Sequence, residues 1–252
     1  MITIKSAQDI ERMKAAGKVV EDTLKLLERS VRVGITTAEL DRIADEFIRS
    51  QGAYPTFLHY NGYPKSVCIS VNEEVVHGIP GKRKLRDGDI VSCDVGATLN
   101  GFVGDAARTF LIGNVPEETQ ELVRVTRECF FEGLKFCRVG YRISDISKAI
   151  QKHAESHGYG VVRELVGHGV GRVLHEDPEV PNFYSPRARQ RLEAGMTIAI
   201  EPMINLGTAK VWQLDDGWTV TTQDGKPSAH YENSVAITDG DPILLTCSEA
   251  FE

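Results

Sequence analysis

Apolar residues recur at helical spacing in the first fifty positions of the chain. From Ser6 to Val31 they follow steps of three and four, which predicts an amphipathic helix capped by Ser6. Thr36 and Glu39 have the spacing of a capping box. This pair predicts the start of a second helix, which ends near Gly52.

The same layout returns in the second half of the chain. One helical pattern runs from Pro116 to about Arg138, and the next is predicted to be capped by Ser144 and to end at His157. Strand-like runs lie at 66–71, 90–95, 101–112, 197–201, 210–214, 218–222 and 234–238. Two helices and then strands therefore occur twice. We expect an α+β fold, one domain over 1–252, with pseudo-symmetric halves.

Composition narrows the class of protein. The 252 residues carry a formal charge of −7, so no overall positive field favours a dedicated nucleic-acid binder. No apolar run approaches the roughly 20 residues of a membrane helix. The five cysteines are scattered without a C-x-x-C pair, and the start lacks a secretory pattern, which together favour the cytoplasm.

Four carboxylates interrupt strand-like apolar stretches, at Asp94, Asp105, Glu201 and Glu232. Aspartate and glutamate are poor strand formers and are costly to bury without a partner. Arginine or lysine partners could compensate each of them, as Arg108 could for Asp105. A cluster of divalent cations would compensate all four together, because such ions prefer oxygen ligands.

Three histidines lie next to glycine-containing turns, where backbone and ligands can approach closely: His77, His168 and His175. This setting favours a functional role over simple packing. The remaining histidines are interpreted as surface or packing residues: His59, His153, His157 and His230. The chain contains no nucleophile elbow, phosphate-binding loop or H-E-x-x-H motif.

These residues, in this order, form a recognisable signature. Asp94, Asp105, the run Gly167-His168-Gly169-Val170-Gly171, Ile200-Glu201-Pro202 and Tyr231-Glu232 resemble the five-ligand pattern of the methionine aminopeptidases, in peptidase family M24. The resemblance implies a pita-bread fold, in which an antiparallel-rich sheet with pseudo-two-fold related halves is covered by two pairs of helices. The separation of 33 positions from His168 to Glu201 leaves no room for the large insert of type 2 enzymes, so the chain is similar to the bacterial-style type 1 group.

The resemblance also implies a dinuclear metal centre. Asp94 would chelate one ion, Asp105 and Glu232 would bridge both, and His168 and Glu201 would complete the other. Two divalent ions per chain are therefore expected, and Co, Mn, Fe and Zn all accept such a ligand set. A monovalent cation is expected at a separate site formed by Asn72, Glu74 and Ser228.

Catalytic and substrate roles follow from the same resemblance. His175 would contact the carbonyl oxygen and oxyanion, His77 would lie near the leaving nitrogen, and Glu201 is the expected general base. The pocket for a methionine side chain is expected to be formed by Phe57, Tyr60, Tyr63, Cys68 and Trp218. The chain departs from the family pattern at Gly96, Leu174 and Phe57, and we expect these positions to alter pocket shape, tolerance of the second substrate residue and turnover.

The implied activity is removal of the initiator methionine from nascent proteins, with a preference for a small uncharged second residue. A monomer is expected, without membrane attachment. Transient ribosome contact could involve the basic run Lys82–Arg86, which otherwise is a solvated loop. Two alternatives are a proline-directed peptidase of the same clan and a non-catalytic binding protein on this fold.

Overall fold

Two consecutive pairs of helices frame the strands in the computed structural model, which describes residues 2–247. The helices are α1 (Ala7–Ser30), α2 (Thr37–Ser50), α3 (Glu117–Leu134) and α4 (Ile143–Ser156), with a short 3-10 turn at Tyr60–Gly62. The strands are β1 (Tyr54–Pro55), β2 (Cys68–Val71), β3 (Glu74–Val76), β4 (Ile90–Leu99), β5 (Phe102–Leu111), β6 (Gly160–Val161), β7 (Gly167–Gly169), β8 (Glu176–Val180), β9 (Thr197–Ile200), β10 (Met203–Asn205), β11 (Val211–Gln213), β12 (Val220–Thr222), β13 (Ser228–His230), β14 (Asn233–Ala236) and β15 (Ile243–Leu244).

The first two helices begin where the sequence predicts. The Ser6 hydroxyl accepts the backbone N–H of Asp9 at the start of α1. At the start of α2, the Thr36 hydroxyl accepts the N–H of Glu39 at 3.1 Å, and the Glu39 carboxylate accepts the N–H of Thr36 at 2.9 Å. Both groups satisfy backbone donors that a helix N-terminus leaves free.

The predicted cap of α4 is wrong. The helix begins at Ile143, so Ser144 already lies in its first turn. The N–H of Ser144 donates to the carbonyl of Ala188 at 2.9 Å and needs no cap. The Asp145 carboxylate instead accepts the N–H of Arg142 at 3.0 Å. An external carbonyl has taken over the role that a capping side chain would play.

Each helix pair packs against its own antiparallel sheet. Strand β4 pairs with β5 on one side and with β1 and β2 on the other, and a core beneath α1 and α2 covers this sheet. The second sheet has the order β15-β14-β9-β7-β8, and the core beneath α3 and α4 contains residues of this sheet and of the neighbouring strands β6, β10 and β13. The remaining strands form two three-stranded sheets, β13-β10-β6 and β11-β12-β3. The predicted α+β layout of two similar halves is confirmed.

Eight strands escaped the sequence pattern: β1, β3, β6, β7, β8, β10, β13 and β15. Each has only two to five residues, too few for an alternation of apolar and polar positions to show.

Within the first half, α1 crosses β5 at very close range. A Cβ atom on Gly104 would lie 2.8 Å from the Cα atom of Gly17, so two glycines allow the helix to touch the strand. A third apolar cluster, which includes Met13, Phe57 and Leu174, fills the space beside this crossing.

Candidate active site

The β4–β5 hairpin places two carboxylates on one face. Asp105 lies opposite Gly96 in the register, and Asp94 lies opposite Ala107. Because alternate residues of a strand share a face, Asp94 and Gly96 project to the same side, together with Asp105. The two carboxylates are therefore diagonal neighbours.

The second sheet contributes the other three predicted ligands. His168 on β7 lies opposite Ala199 on β9, which makes it a diagonal neighbour of Glu201. Asn233 lies opposite Ile200, so the same register continued by one residue brings Glu232 beside Glu201. Both glutamates sit at the point where these strands end.

Hydrogen bonds from β5 to Glu232 and to β14 bring the ligands of the first sheet next to those of the second. The N–H of Glu232 donates to the carbonyl of Ala107 at 3.0 Å. The hydroxyl of Ser234 donates to the carbonyl of Asp105 at 2.9 Å. As a result, Nε2 of His168 lies 3.6 Å both from Oδ2 of Asp105 and from Oε1 of Glu201. All five predicted ligands line one cavity.

The donor set fits divalent ions. Within residues 2–247, Oδ1 of Asp94, Oδ1 of Asp105 and Oε1 of Glu232 are buried without a hydrogen-bond partner. Arg108 is the partner that the sequence suggests for Asp105, but its guanidinium binds the backbone carbonyl of Glu232 at 2.6 Å and stacks over the ring of Tyr231. Buried carboxylate oxygens without partners are costly, and a bound cation removes that cost.

Burial and mutual repulsion perturb the acids strongly. Burial raises the pKa of Asp94 to about 7. Burial, with the neighbouring charges of the cluster, also raises the pKa values of Asp105, Glu201 and Glu232 well above the usual range. Without a cation, these carboxyl groups resist full ionisation.

The hydrogen bonding of His168 leaves its Nε2 lone pair available to a metal ion. Its Nδ1 lies 2.9 Å from the carbonyl of Gly169, which can only accept, so the proton resides on Nδ1. Nε2 then faces the carboxylates with its lone pair free. Burial lowers the pKa of His168 to about 3, so the ring is neutral at physiological pH.

His230 is a site residue that sequence reasoning missed, because it was interpreted as a surface or packing residue. Its Nε2 lies 3.7 Å from Oε2 of Glu201 and 3.9 Å from Oε2 of Glu232, and no side chain bonds it within the described chain. Burial lowers its pKa to about 3. The signal was its position two residues before Glu232, on the same face of an extended segment.

Beside the carboxylates the cavity has an aromatic and apolar wall. Its volume is about 340 Å³, within the usual range of ligand pockets. All predicted pocket residues line it: Phe57, Tyr60, Tyr63, Cys68 and Trp218. Tyr63 meets Trp218 edge to face at 5.1 Å between ring centroids. Further lining residues that were not predicted as pocket residues are Asn61, Val76, Leu165, Val166, Leu174 and Met203.

Gly96 and Phe57, two of the departures from the family pattern, depend on each other sterically. A Cβ atom on Gly96 would lie only 2.6 Å from Cε1 of Phe57. The Phe57 ring, 7% exposed, thus occupies the volume that a side chain at position 96 would require. The aromatic residue and the glycine form one packing unit beside Asp94.

The two predicted catalytic histidines face this cavity. His175 packs against His168 at 4.2 Å between ring centroids, and its Nδ1 lies 2.7 Å from the Tyr60 hydroxyl. His77 packs against Trp218 and has a left-handed backbone with φ of 59°. Burial lowers the pKa of His175 and, with His175 nearby, that of His77 to about 4.

The other predicted positions lie outside the cavity. The N–H of Ser228 donates to the carbonyl of Asn72 at 2.9 Å, and Glu74 accepts the N–H of Val71. Within the basic run, Arg83 pairs with Glu74 at 2.8 Å.

Comparison with known proteins agrees with this geometry. A model of metallopeptidase family M24 matches residues 11–239. The methionine aminopeptidase of Clostridium perfringens is 56% identical over 246 residues, 98% of this chain and 99% of that one. Methionine aminopeptidase 1 of Bacillus subtilis is 49% identical with the same coverage. The crystal structure of methionine aminopeptidase from Rickettsia prowazekii superposes with a TM-score of 0.96 at 39% identity, covering 98% of this chain and 100% of that one.

The fold and the carboxylate–histidine site define a metallopeptidase, and the chain belongs to metallopeptidase family M24. Within that family it groups with the type 1 methionine aminopeptidases. The resemblance identified from the sequence and the pita-bread fold it implied are confirmed. Across residues 2–247, no helix has the length and apolar character needed to cross a bilayer.

Proposed function

We propose that this chain hydrolyses the first peptide bond of peptides and nascent proteins that begin with methionine, preferring a small uncharged second residue. The observation that carries the proposal is one cavity in which a floor of four carboxylates, two buried and two half-buried, and His168 meets a wall of aromatic side chains and a thiol. The floor fits the chemistry of a metallo-exopeptidase, and the wall fits an apolar side chain.

The floor would hold two divalent ions through Asp94, Asp105, His168, Glu201 and Glu232. Two such ions would balance the four negative charges, and one oxygen each of Asp94, Asp105 and Glu232 is buried without a hydrogen-bond partner among the described residues. Divalent ions there supply Lewis-acid activation of a carbonyl group and lower the pKa of water. Co, Mn, Fe and Zn all suit this mixture of oxygen and imidazole ligands.

The surrounding residues would bind and orient the substrate. Burial raises the pKa of Tyr60, so its hydroxyl stays protonated, and this O–H is proposed to donate a hydrogen bond to Nδ1 of His175. The remaining proton of His175 is then on Nε2, where it can donate to the developing oxyanion. His77 stays neutral and is proposed to lie near the leaving nitrogen, where the two histidines would crowd a large second residue.

The aromatic wall would recognise methionine. A thioether makes favourable contacts with aromatic rings, which Phe57, Tyr63 and Trp218 provide. Cys68 is 5% exposed, and burial raises its pKa, so it presents a neutral thiol to the pocket. Glu201, which bonds no other described side chain through its carboxylate at normal hydrogen-bond distance, is proposed as the general base.

The wider setting follows from the proposed substrate. A monomer acting in the cytoplasm on nascent chains would visit the ribosome transiently, and the largely exposed run Lys82–Arg86 is proposed for that contact. Asn72, Glu74 and Ser228, which share a small region of backbone contacts, are proposed to bind a monovalent cation.

The test is release of free methionine from Met-Ala-Ser by chelator-stripped protein, with and without added Mn or Co. We expect release only with metal, and none of alanine from an Ala-Pro peptide. Release from Ala-Pro alone would favour a proline-directed peptidase. Failure to bind metal in a folded chain would favour a non-catalytic binding protein.

A further inference from the structure

A second group of metal-ligand side chains lies on the outer helices. Glu128 projects from α3, His153 projects from the last turn of α4, and His157 is the C-cap residue that follows α4, four positions after His153. One ligand atom from each residue lies within 4.8 Å of the others. None of the three lines the active-site cavity. Two histidines at this spacing share one helix face, as chelation requires.

The hydrogen bonds show which ring nitrogens face the proposed ion. Nε2 of His153 lies 3.0 Å from Oε2 of Glu128, which only accepts, so this nitrogen carries a proton that a bound ion would displace. The hydrogen bond of His157 leaves its Nε2 lone pair free. Nδ1 of His157 lies 2.9 Å from the carbonyl of His153, which can only accept. In the neutral ring the proton is therefore on Nδ1, and Nε2 carries the lone pair. A backbone carbonyl in this position is the usual outer partner of a metal-ligating histidine.

The carboxylate is oriented as well. Arg124 binds Oε1 of Glu128, so the other oxygen, Oε2, points at His153 with an O–N distance of 3.0 Å. Two ligand atoms each about 2.1 Å from a tetrahedral ion lie about 3.4 Å apart. To hold an ion, Nε2 of His153 and Oε2 of Glu128 would therefore need to move apart by only a few tenths of an ångström. The side chains of His153 and Glu128 are 21% and 33% exposed, which leaves a path from solvent.

We propose that Glu128, His153 and His157 form a surface site for a zinc-class divalent ion. Two imidazoles and one carboxylate, with water as the fourth ligand, suit Zn²⁺ and disfavour Mg²⁺ and Ca²⁺, which prefer oxygen alone. The ion would link α3 to α4. It would be additional to the ions of the active site and would take no part in hydrolysis.

Zinc stoichiometry tests the proposal directly. Full-length protein is dialysed to equilibrium against Zn²⁺ at pH 7, and bound zinc is measured by elemental analysis. We expect the double variant His153→Ala/His157→Ala to bind one zinc fewer per chain than wild type. Either single variant should weaken zinc binding at this site at least about tenfold. Removing the hydrogen-bond partner of a metal ligand already lowers metal affinity about 10- to 100-fold, and removing the ligand itself should lower it more.

The matched control is Glu155→Gln, which alters an exposed acid on α4 that bonds Gln151 instead of the cluster. It should retain the wild-type zinc count. His153→Ala replaces a poorer helix former with alanine inside α4, and His157→Ala lies just beyond its last residue, so α4 is expected to fold, and circular dichroism checks this. Equal zinc counts in wild type and the double variant would overturn the proposal, as would an equal loss in Glu155→Gln.

Discussion

The hydroxyl of Tyr60 lies 2.7 Å from Nδ1 of His175, and this single contact connects the aromatic wall of the cavity to its proposed oxyanion donor. Tyr60 comes from the 3-10 turn of the first half, whereas His175 lies just before β8 in the second. The contact therefore holds the position of the ring, and a hydrogen bond donated by Tyr60 would place the proton of the neutral imidazole on Nε2.

Tyr60→Phe should lower kcat through His175. Loss of one hydrogen bond is worth about 1 kcal/mol, which corresponds to roughly a fivefold lower kcat. His175→Ala should cost about 2.7–4 kcal/mol, as removal of an oxyanion donor does. Steady-state kinetics on Met-Ala-Ser gives both values. In a His175→Ala background, Tyr60→Phe should have no further effect on kcat, and a full additional effect would show that Tyr60 acts independently.

His168→Ala should remove one of the two expected metal ions and lower kcat more than about 100-fold, since a lost ligand exceeds the cost of a lost outer partner. Elemental analysis and turnover are measured on the same sample. The control is His59→Asn, at an exposed position with φ of 68° that asparagine tolerates. Wild-type turnover in His168→Ala would contradict the assignment of this residue as a ligand.

Gly96→Thr should destabilise the chain, because its Cβ atom would lie 2.6 Å from the Phe57 ring. Overpacking of this kind costs about 1–3 kcal/mol. Adding Phe57→Cys should relieve the clash, so the double variant is expected to be more stable than the sum of the single changes implies. Urea unfolding of all four proteins measures the coupling. A coupling near zero would mean that the two positions do not share this space.

Burial of His77 should make the folded protein less stable at acidic pH. Its pKa is lowered to about 4 in the folded chain, against about 6.5 when unfolded, so the unfolded state binds more protons between these values. Stability is therefore retained above pH 6.5 and falls as pH drops towards 4. Between pH 7 and pH 5 the loss due to this group is about 2 kcal/mol.

The variant His77→Asn tests this estimate, because asparagine tolerates the left-handed backbone at this position and does not titrate. Urea unfolding at pH 7 and pH 5 should show a smaller loss in the variant than in wild type. An identical loss in both proteins would mean that other groups cause the acid sensitivity.

Much of the fold could be predicted from the sequence because local capping residues mark where the first two helices begin. The reciprocal bonds of Thr36 and Glu39 are local, and a four-residue window contains them. Ser144 failed as a cap because the carbonyl of Ala188, distant in sequence, satisfies its N–H. The short strand β7 went unnoticed because three residues carry no periodicity.

The candidate site divides in the same way. Each predicted ligand stands out locally as a charged or imidazole group among apolar or glycine residues, as Asp94 and His168 do. His230 has no such setting, and only the fold brings it to Glu201. The compensation between Phe57 and Gly96 was equally hidden, since it depends on a ring lying across a neighbouring strand.

The hydrogen bond from Glu232 to Ala107 has a consequence for how the protein folds and how long it stays folded. More than half of the chain separates Asp94 from Glu232, so the proposed metal centre cannot exist in any early folding intermediate built from one half. Ions that recognise only the finished protein stabilise it by mass action, by about 2.7 kcal/mol at a free concentration one hundred times the Kd. Metal supply would thus govern how long each folded molecule lasts, in addition to how fast it turns over.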